Sequence, residues 1–178
     1  MNQPRIYNQS HNTSGKISPA KPKHLQAINN IYNQAVKDGF RTAHTEQTTM
    51  EDRTVWFYNH TSQRYPIFIF EQQDQVLGWL SLSAYRFDRQ ALDEVVEVSY
   101  YVDYAHHRQG IASKLLQHAI NFSKQAGYRI MVALLVEGNE GSIKLLEKFA
   151  FHPSGSIPAA IHHEDEYRDH LYYSKKIR

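Results

Sequence analysis

Apolar residues along this chain recur first at helical and then at strand spacing. After a short strand at Lys16–Ala20, Leu25, Ile28, Ile31, Tyr32, Ala35 and Val36 repeat at helical intervals between Pro22, which suits a first turn, and Gly39. Beyond the polar loop RTAHTEQTT, the residues Met50, Val55, Trp56 and Tyr58 predict a second helix ending near Thr61. Pro66 then opens three strands, PIFIFE, QVLGWLSLSAY and EVVEVSYYVD, separated by the tight turn QQDQ and the longer connection RFDRQALD. In the third, Val96, Val98, Tyr100 and Val102 share one face at period two, and Ile111, Leu115, Leu116 and Ala119 mark the buried stripe of the helix that follows, from about Gln109 to before Gly127. RIMVALLV at 129–136 is apolar throughout, as a central strand is. Asn139 can cap a helix running through Phe149 with Ile143, Leu146 and Phe149 inward, and FHPSGSIPAA and EYRDHLYYSKKI close the chain as two strands around a histidine-rich turn. The predicted order is βααβββαβαββ, an α/β (α+β) chain.

Composition narrows this only a little. Residues 1–14 are polar and aperiodic and read as a flexible extension, leaving 15–178 as one domain large enough to bury a core. Within the extension SHNTSGKIS resembles a phosphate loop, but the leading glycine position is Ser10 and Ile17 follows the lysine. Cysteine is absent, and the 20 basic and 18 acidic side chains nearly balance. No Lys/Arg block tracks a nucleic-acid backbone, and apolar runs such as IFIF are too short to span a bilayer. A soluble cytoplasmic protein with no nucleic-acid or membrane partner is expected. The cluster His162, His163, Glu164, Asp165, Glu166 lacks zinc spacing and a separated third ligand, so no metal is expected, and His106 and His107 read as loop residues. Trp79, Tyr100, Tyr101, Tyr167 and Tyr172 are expected mostly in the core, with one or two lining a pocket.

The candidate chemistry lies at 96–116, where a strand runs through HRQGIAS into a helix. Gly110 lets a ligand approach the main chain, and a helix N-terminus presents backbone donors, so the turn is physically a phosphate cradle. The segment resembles the acetyl-CoA-binding motif of the GCN5-related N-acetyltransferases (GNAT): Gln or Arg, two residues, Gly, one residue, then Gly or Ala. Here it reads His107, Arg108, Gln109, Gly110, Ile111, Ala112. The resemblance implies the GNAT fold from about Lys16 onward, a mixed central sheet with helices on both faces. IYNQAV at 31–36, the Trp56 region, Arg89-Gln90-Ala91, VEVSYYV and Asn139-Glu140-Gly141-Ser142 are similar to the phosphinothricin and methionine sulfoximine acetyltransferase-like branch.

By that resemblance the cofactor positions are Arg108, Gln109, Gly110, Ile111, Ala112 and Ser113, acting mainly through their amides, with Asn139 and Ser142 beyond them. Tyr101 and Val102 match the strand whose backbone binds the pantetheine arm and polarises the thioester oxygen. Lys144 and Lys148 either meet acidic cofactor groups or are simply solvated. Glu97 lies on the opposite face from Val96 and Val98, where a carboxylate must face a cleft or have a partner. It matches the branch's strand glutamate that deprotonates the amine, although a salt-bridged or edge-exposed Glu fits the pattern too. Arg89, with Arg86 on the same connection, matches the branch's arginine for an acceptor carboxylate, and both also suit a solvent-facing loop. The signature's first position is His107. The family's acid position on the following helix is Leu146, and its late glycine is Ala150.

The implied activity is transfer of acetyl from acetyl-CoA to the primary amine of a small molecule, an amino acid or analogue, by direct attack in a ternary complex. The absence of cysteine excludes a thiol acyl-enzyme. The implied assembly is a homodimer. Polyamine, aminoglycoside or protein N-terminus acceptors, a catalytically impaired acyl-CoA-binding regulatory module and a partner-binding domain without cofactor are the rival readings.

Overall fold

The computed structural model describes residues 15–60 and 63–178; the expected extension at 1–14, with the start of the phosphate-loop-like segment, and the expected helix end at Thr61 lie outside the described residues. The strands are β1 (Lys16–Pro19), β2 (Ile67–Gln72), β3 (Gln75–Ala84), β4 (Val95–Val102), β5 (Ile130–Val136), β6 (His152–His163) and β7 (Glu166–Lys176). The helices are α1 (Leu25–Lys37), α2 (Met50–Tyr58), α3 (Ile111–Gln125) and α4 (Glu140–Lys148), so the βααβββαβαββ order is observed. All strands join one sheet in the order β1-β2-β3-β4-β5-β7-β6, antiparallel except for the β4–β5 pair.

The sheet buries both faces, which is why its central strands are apolar at nearly every position. On one face Phe68, Leu80, Leu82, Val96, Val98, Met131 and Ala133 pack against Leu115, Leu116 and Ala119 of α3 and Leu146 of α4. On the other, Ile67, Ile69, Val76 and Trp79 meet Ile28, Ile31, Tyr32 and Val36 of α1. The inward stripes expected of α1 and α3 are thus observed. In α4 Leu146 is fully buried, while Ile143 and Phe149 are half-buried against it.

α2 differs from its expected face. Val55 and Tyr58 are exposed, and the buried residue is Arg53. Its guanidinium lies over Tyr32 at 4.5 Å and Trp56 at 4.6 Å, and it donates to Asn29 Oδ1 at 3.2 Å and Thr48 Oγ1 at 3.1 Å. Aromatic faces, one amide oxygen and one hydroxyl compensate its desolvation where hydrophobicity alone would have placed an apolar side chain. Tyr167 is also exposed, against a core expectation, and stacks on His162 across the last hairpin.

Candidate functional site

The parallel β4–β5 ladder is short. It joins Val95–Glu97 to Ile130–Val132 and then stops, although β4 continues to Val102 along β3 and β5 continues to Val136 along β7. The two halves of the sheet therefore part beyond Glu97, and the β4 backbone from Val98 to Val102 has no strand on its β5 side. Strand edges within a fold need partners for their amides and carbonyls, so an extended amide-bearing arm fits this notch. A cleft of about 610 Å³ occupies it, walled by Ser99, Tyr100, Tyr101 and Val102 on one side and Ala133, Leu134 and Leu135 on the other.

At one end the cleft meets the start of α3. Gly110 is the residue before the helix and has φ +77°, the left-handed conformation that side chains disfavour; a Cβ there would meet no protein atom within 4 Å, only the open cleft. The helix carries no side-chain cap, unlike α2 and α4, which are capped by Thr49 and Asn139. The first-turn amides of Ile111, Ala112 and Ser113 thus keep their donors and the positive end of a 15-residue helix for a ligand in the cleft, which these residues line. Gly78 in β3 lets this helix start sit close, since a Cβ there would come within 3.0 Å of Ile111 Cγ2 and 3.1 Å of the Tyr101 carbonyl. The group implied by the sequence, a pyrophosphate on a pantetheine arm, matches an uncapped helix end beside an unpaired strand edge.

His107 is exposed and lines the cleft. Its Nε2 lies 3.0 Å from the Val102 carbonyl and so carries the proton, and its ring packs on Tyr104 with centroids 4.6 Å apart. Tyr104 donates to Asp38 Oδ2 at 2.9 Å, Asp38 pairs with Arg41 at 2.7 Å, and Arg41 reaches the Gly138 carbonyl at 3.4 Å. A chain of polar contacts therefore crosses the cleft mouth from the β4–α3 loop to the β5–α4 loop. The Arg41 and Tyr104 bonds hold the Asp38 carboxyl below its usual range against opposing burial. None of this was legible beforehand, because its members lie far apart in the chain and share no motif.

Glu97 is the last β4 residue paired with β5, which places it at the apex of the notch. It is half-buried, on the α1 and α2 side, between Ser83 of β3 and Val132 of β5. Burial raises its pKa above the ordinary carboxylate value, with Arg86 pulling the other way. Beside it the His60 ring has Nδ1 at 2.7 Å from the Trp56 carbonyl, which fixes Nδ1 as donor, and Nε2 at 3.4 Å from Ser83 Oγ. His60 and Ser83 were missed; the Trp56–His60 spacing of one helical turn was their only trace in the sequence. Arg86 is exposed but within charge range of Glu97, whereas Arg89 folds back to donate to the Asp88 carbonyl at 2.9 Å and is 70% exposed.

The structure thus brings Tyr101, Val102, Arg108, Gly110, Ile111, Ala112, Ser113, Asn139 and Ser142 to one cleft, and leaves Gln109, Arg86, Arg89 and Glu97 outside the cleft lining, Glu97 standing where the β4–β5 pairing ends. Leu146 is sealed in the core and carries no proton to exchange, so it cannot serve as an acid. Glu164 and Asp165 form the exposed β6–β7 turn, with exposed His162 near the end of β6 and Glu166 at the start of β7, and the His163 ring packs on Phe40 at 5.3 Å. Among the described residues, no group of three His, Cys, Asp or Glu could hold a metal ion, and no helix is long and apolar enough to cross a membrane.

Known proteins share this arrangement. Residues 27–151 match the Acetyltransferase (GNAT) family. The chain is 33% identical over 148 residues to the L-methionine sulfoximine/L-methionine sulfone acetyltransferase of Pseudomonas aeruginosa, covering 82% of this chain and 84% of that one. The crystal structure of an N-acetyltransferase from Staphylococcus aureus Mu50 superposes with a TM-score of 0.88 at 34% identity, over 93% of this chain and 99% of that one. YncA of Salmonella typhimurium, solved with its cofactor acetyl-CoA, superposes at 0.86 and 25% identity, over 92% and 94%. A notch that opens beyond Glu97, an uncapped helix end beside it and these likenesses together place the chain in the GNAT family, as an acetyl-CoA-dependent N-acetyltransferase.

Proposed function

We propose that the enzyme acetylates the primary amine of a small amino acid or amino-acid analogue of the methionine sulfoximine or phosphinothricin type, by direct attack in a ternary complex. The observation that carries this reading is the position of Glu97, a half-buried carboxyl at the apex of the notch. An ammonium must lose its proton before nitrogen can attack, and a carboxylate with a raised pKa accepts that proton near neutral pH. The amides of Arg108 to Ser113 hold the pyrophosphate, and the β4 edge at Tyr101 and Val102 orders the acyl arm. Asn139 and Ser142 complete the cofactor side. Arg86, beside Glu97, and Arg89, if it swings inward from its exposed loop, supply cations for an acceptor carboxylate. The relative named for L-methionine sulfoximine/L-methionine sulfone acetylation supports this acceptor class.

Residues 15–178 act as one catalytic domain in the cytoplasm. The β6 edge strand, with Ile157 exposed at 49%, supplies a face for a homodimer.

The test is a thiol-release screen with acetyl-CoA against amino acids, methionine sulfoximine, phosphinothricin, polyamines and aminoglycosides. Turnover concentrated on carboxylate-bearing amines is expected, with a higher KM for them in Arg89→Ala. Preferred turnover of polyamines or aminoglycosides refutes the acceptor assignment.

A further inference from the structure

An amine that reaches the site as an ammonium sheds two protons on its way to an amide: one frees the lone pair for attack, and the second leaves as the C–N bond forms. A single carboxylate holds only one of them, so Glu97 must pass the first on before it takes the second. A path for this stands on the face of the sheet that carries Glu97. Ser83 of β3 is paired directly with Glu97 of β4, which makes the two side chains same-face neighbours with Cβ atoms about 4.5–5.5 Å apart. On the other side of Ser83 is His60, half-buried just past the end of α2, its ring 4.5 Å from that of Trp56 between centroids. The His60 Nδ1–H donates to the Trp56 carbonyl at 2.7 Å, which leaves Nε2 without a proton, and Nε2 lies 3.4 Å from Ser83 Oγ. The Ser83 hydroxyl therefore gives its one hydrogen to His60 and keeps its lone pairs for a proton held by Glu97. The chain has a direction, from Glu97 through Ser83 to His60, and the Trp56 carbonyl sets it.

We propose that His60, reached through the Ser83 hydroxyl, takes up the first of the two protons and so frees Glu97 to take the second. This rests on the reading of Glu97 as the base. The ammonium gives its first proton to the Glu97 carboxylate. The Glu97 O–H then passes that proton to Ser83 Oγ while the Ser83 O–H passes its own to His60 Nε2, which leaves an imidazolium, an intact hydroxyl and an ionised carboxylate. The nitrogen lone pair forms the C–N bond, the second N–H proton goes to Glu97, and the C–S electron pair departs on sulfur. After release the thiolate takes its proton from water, and His60 and Glu97 return theirs to solvent. The charged groups around His60 suit a transient acceptor. Burial holds it below the ordinary imidazole value against the pull of the Trp56 carbonyl, and the Arg53 charge on α2 acts in the same sense as burial. Glu97 faces it from β4 across Ser83, with Arg86 on the β3–β4 connection acting on Glu97. His60 is therefore neutral and able to accept when a cycle begins, and it gives the proton up readily afterwards. Ser83 and His60 act through Glu97 and need not touch the substrate.

The test compares wild type with His60→Ala and with Ser83→Ala, which leaves the His60 ring packed on Trp56. Each should lower kcat roughly 10- to 100-fold with the KM for acetyl-CoA within about threefold, and Ser83→Thr should recover most of the loss because it restores the hydroxyl. Added imidazole at fixed pH should raise kcat in His60→Ala and leave wild type unchanged, which a purely structural loss would not do. Independently of turnover, the side-chain nitrogen resonances of His60 should show the neutral form protonated at Nδ1. Its titration should move to lower pH in Glu97→Gln, because the carboxylate that favours the imidazolium is gone. A kcat within twofold of wild type in Ser83→Ala, a His60→Ala loss that imidazole does not relieve, or a His60 titration that Glu97→Gln leaves in place overturns the proposal. Full turnover in Glu97→Gln overturns the base reading and the relay together, whereas an inactive Glu97→Gln beside fully active Ser83→Ala and His60→Ala overturns the relay alone.

Discussion

Arg86 and Glu97 allow the base assignment to be tested without removing the base. Two influences act on the Glu97 carboxyl: burial at the notch apex raises its pKa, and the Arg86 guanidinium lowers it. Replacing Arg86 with Gln removes the second and leaves the first, so the acid limb of kcat/KM, which falls tenfold per pH unit once the base is protonated, should move to higher pH. Arg86 is solvent-exposed, so the displacement should be modest and should shrink as salt is added. Glu97→Gln should abolish the limb and lower kcat by about 100-fold or more, with acetyl-CoA affinity within about threefold. The stability sign is opposite to that of activity. A carboxyl whose folded pKa is raised binds its proton more tightly in the native state, so it costs nothing below the ordinary carboxylate range and destabilises the fold as pH rises through the raised value. Glu97→Gln should therefore raise the melting temperature at pH 8 and leave it nearly unchanged at pH 4. Steady-state rates from pH 5 to 9 and thermal melts at the two pH values measure both effects. An acid limb that stays in place or moves down in Arg86→Gln refutes the assignment, as does full turnover in Glu97→Gln.

Other substitutions probe the supports of the site. Gly110→Ala places a side chain at φ +77° and in the cradle, so it should cost about 1–2 kcal/mol of stability and raise the KM for acetyl-CoA at least tenfold, read by denaturant titration and initial rates. Leu146→Ala removes a fully buried side chain between α4 and the sheet and should cost about 3–5 kcal/mol in urea unfolding. Arg53→Lys keeps the charge but loses the planar stacking on Tyr32 and Trp56 and the bonds to Asn29 and Thr48; a loss of about 2–3 kcal/mol is expected, and an unchanged midpoint shows that charge alone matters there.

Much of this molecule was legible before any coordinates. The element order, the buried stripes of α1 and α3, the opposite faces of Val96 and Glu97 and the glycine at the helix start all follow from periodicity and local stereochemistry, which act over a few residues. Where local signals competed with long-range ones, the reading went astray. In α2 a hydrophobic count chose Val55 and Tyr58, yet Arg53 is buried because Tyr32, Trp56, Asn29 and Thr48, from several segments, compensate its charge. Tyr167 was expected inside, but the edge hairpin that carries it has no layer over it.

By itself the chain determined which residues would be strand or helix and where a ligand could approach the backbone, because those properties reside in φ/ψ preferences and side-chain alternation. Only the tertiary structure decided where β4 and β5 stop pairing, that Glu97 stands at that point, and that His60 and Ser83 lie beside it. Strand register and the parting of two strands are set by everything packed on both faces of a sheet, and no short stretch of sequence contains that sum.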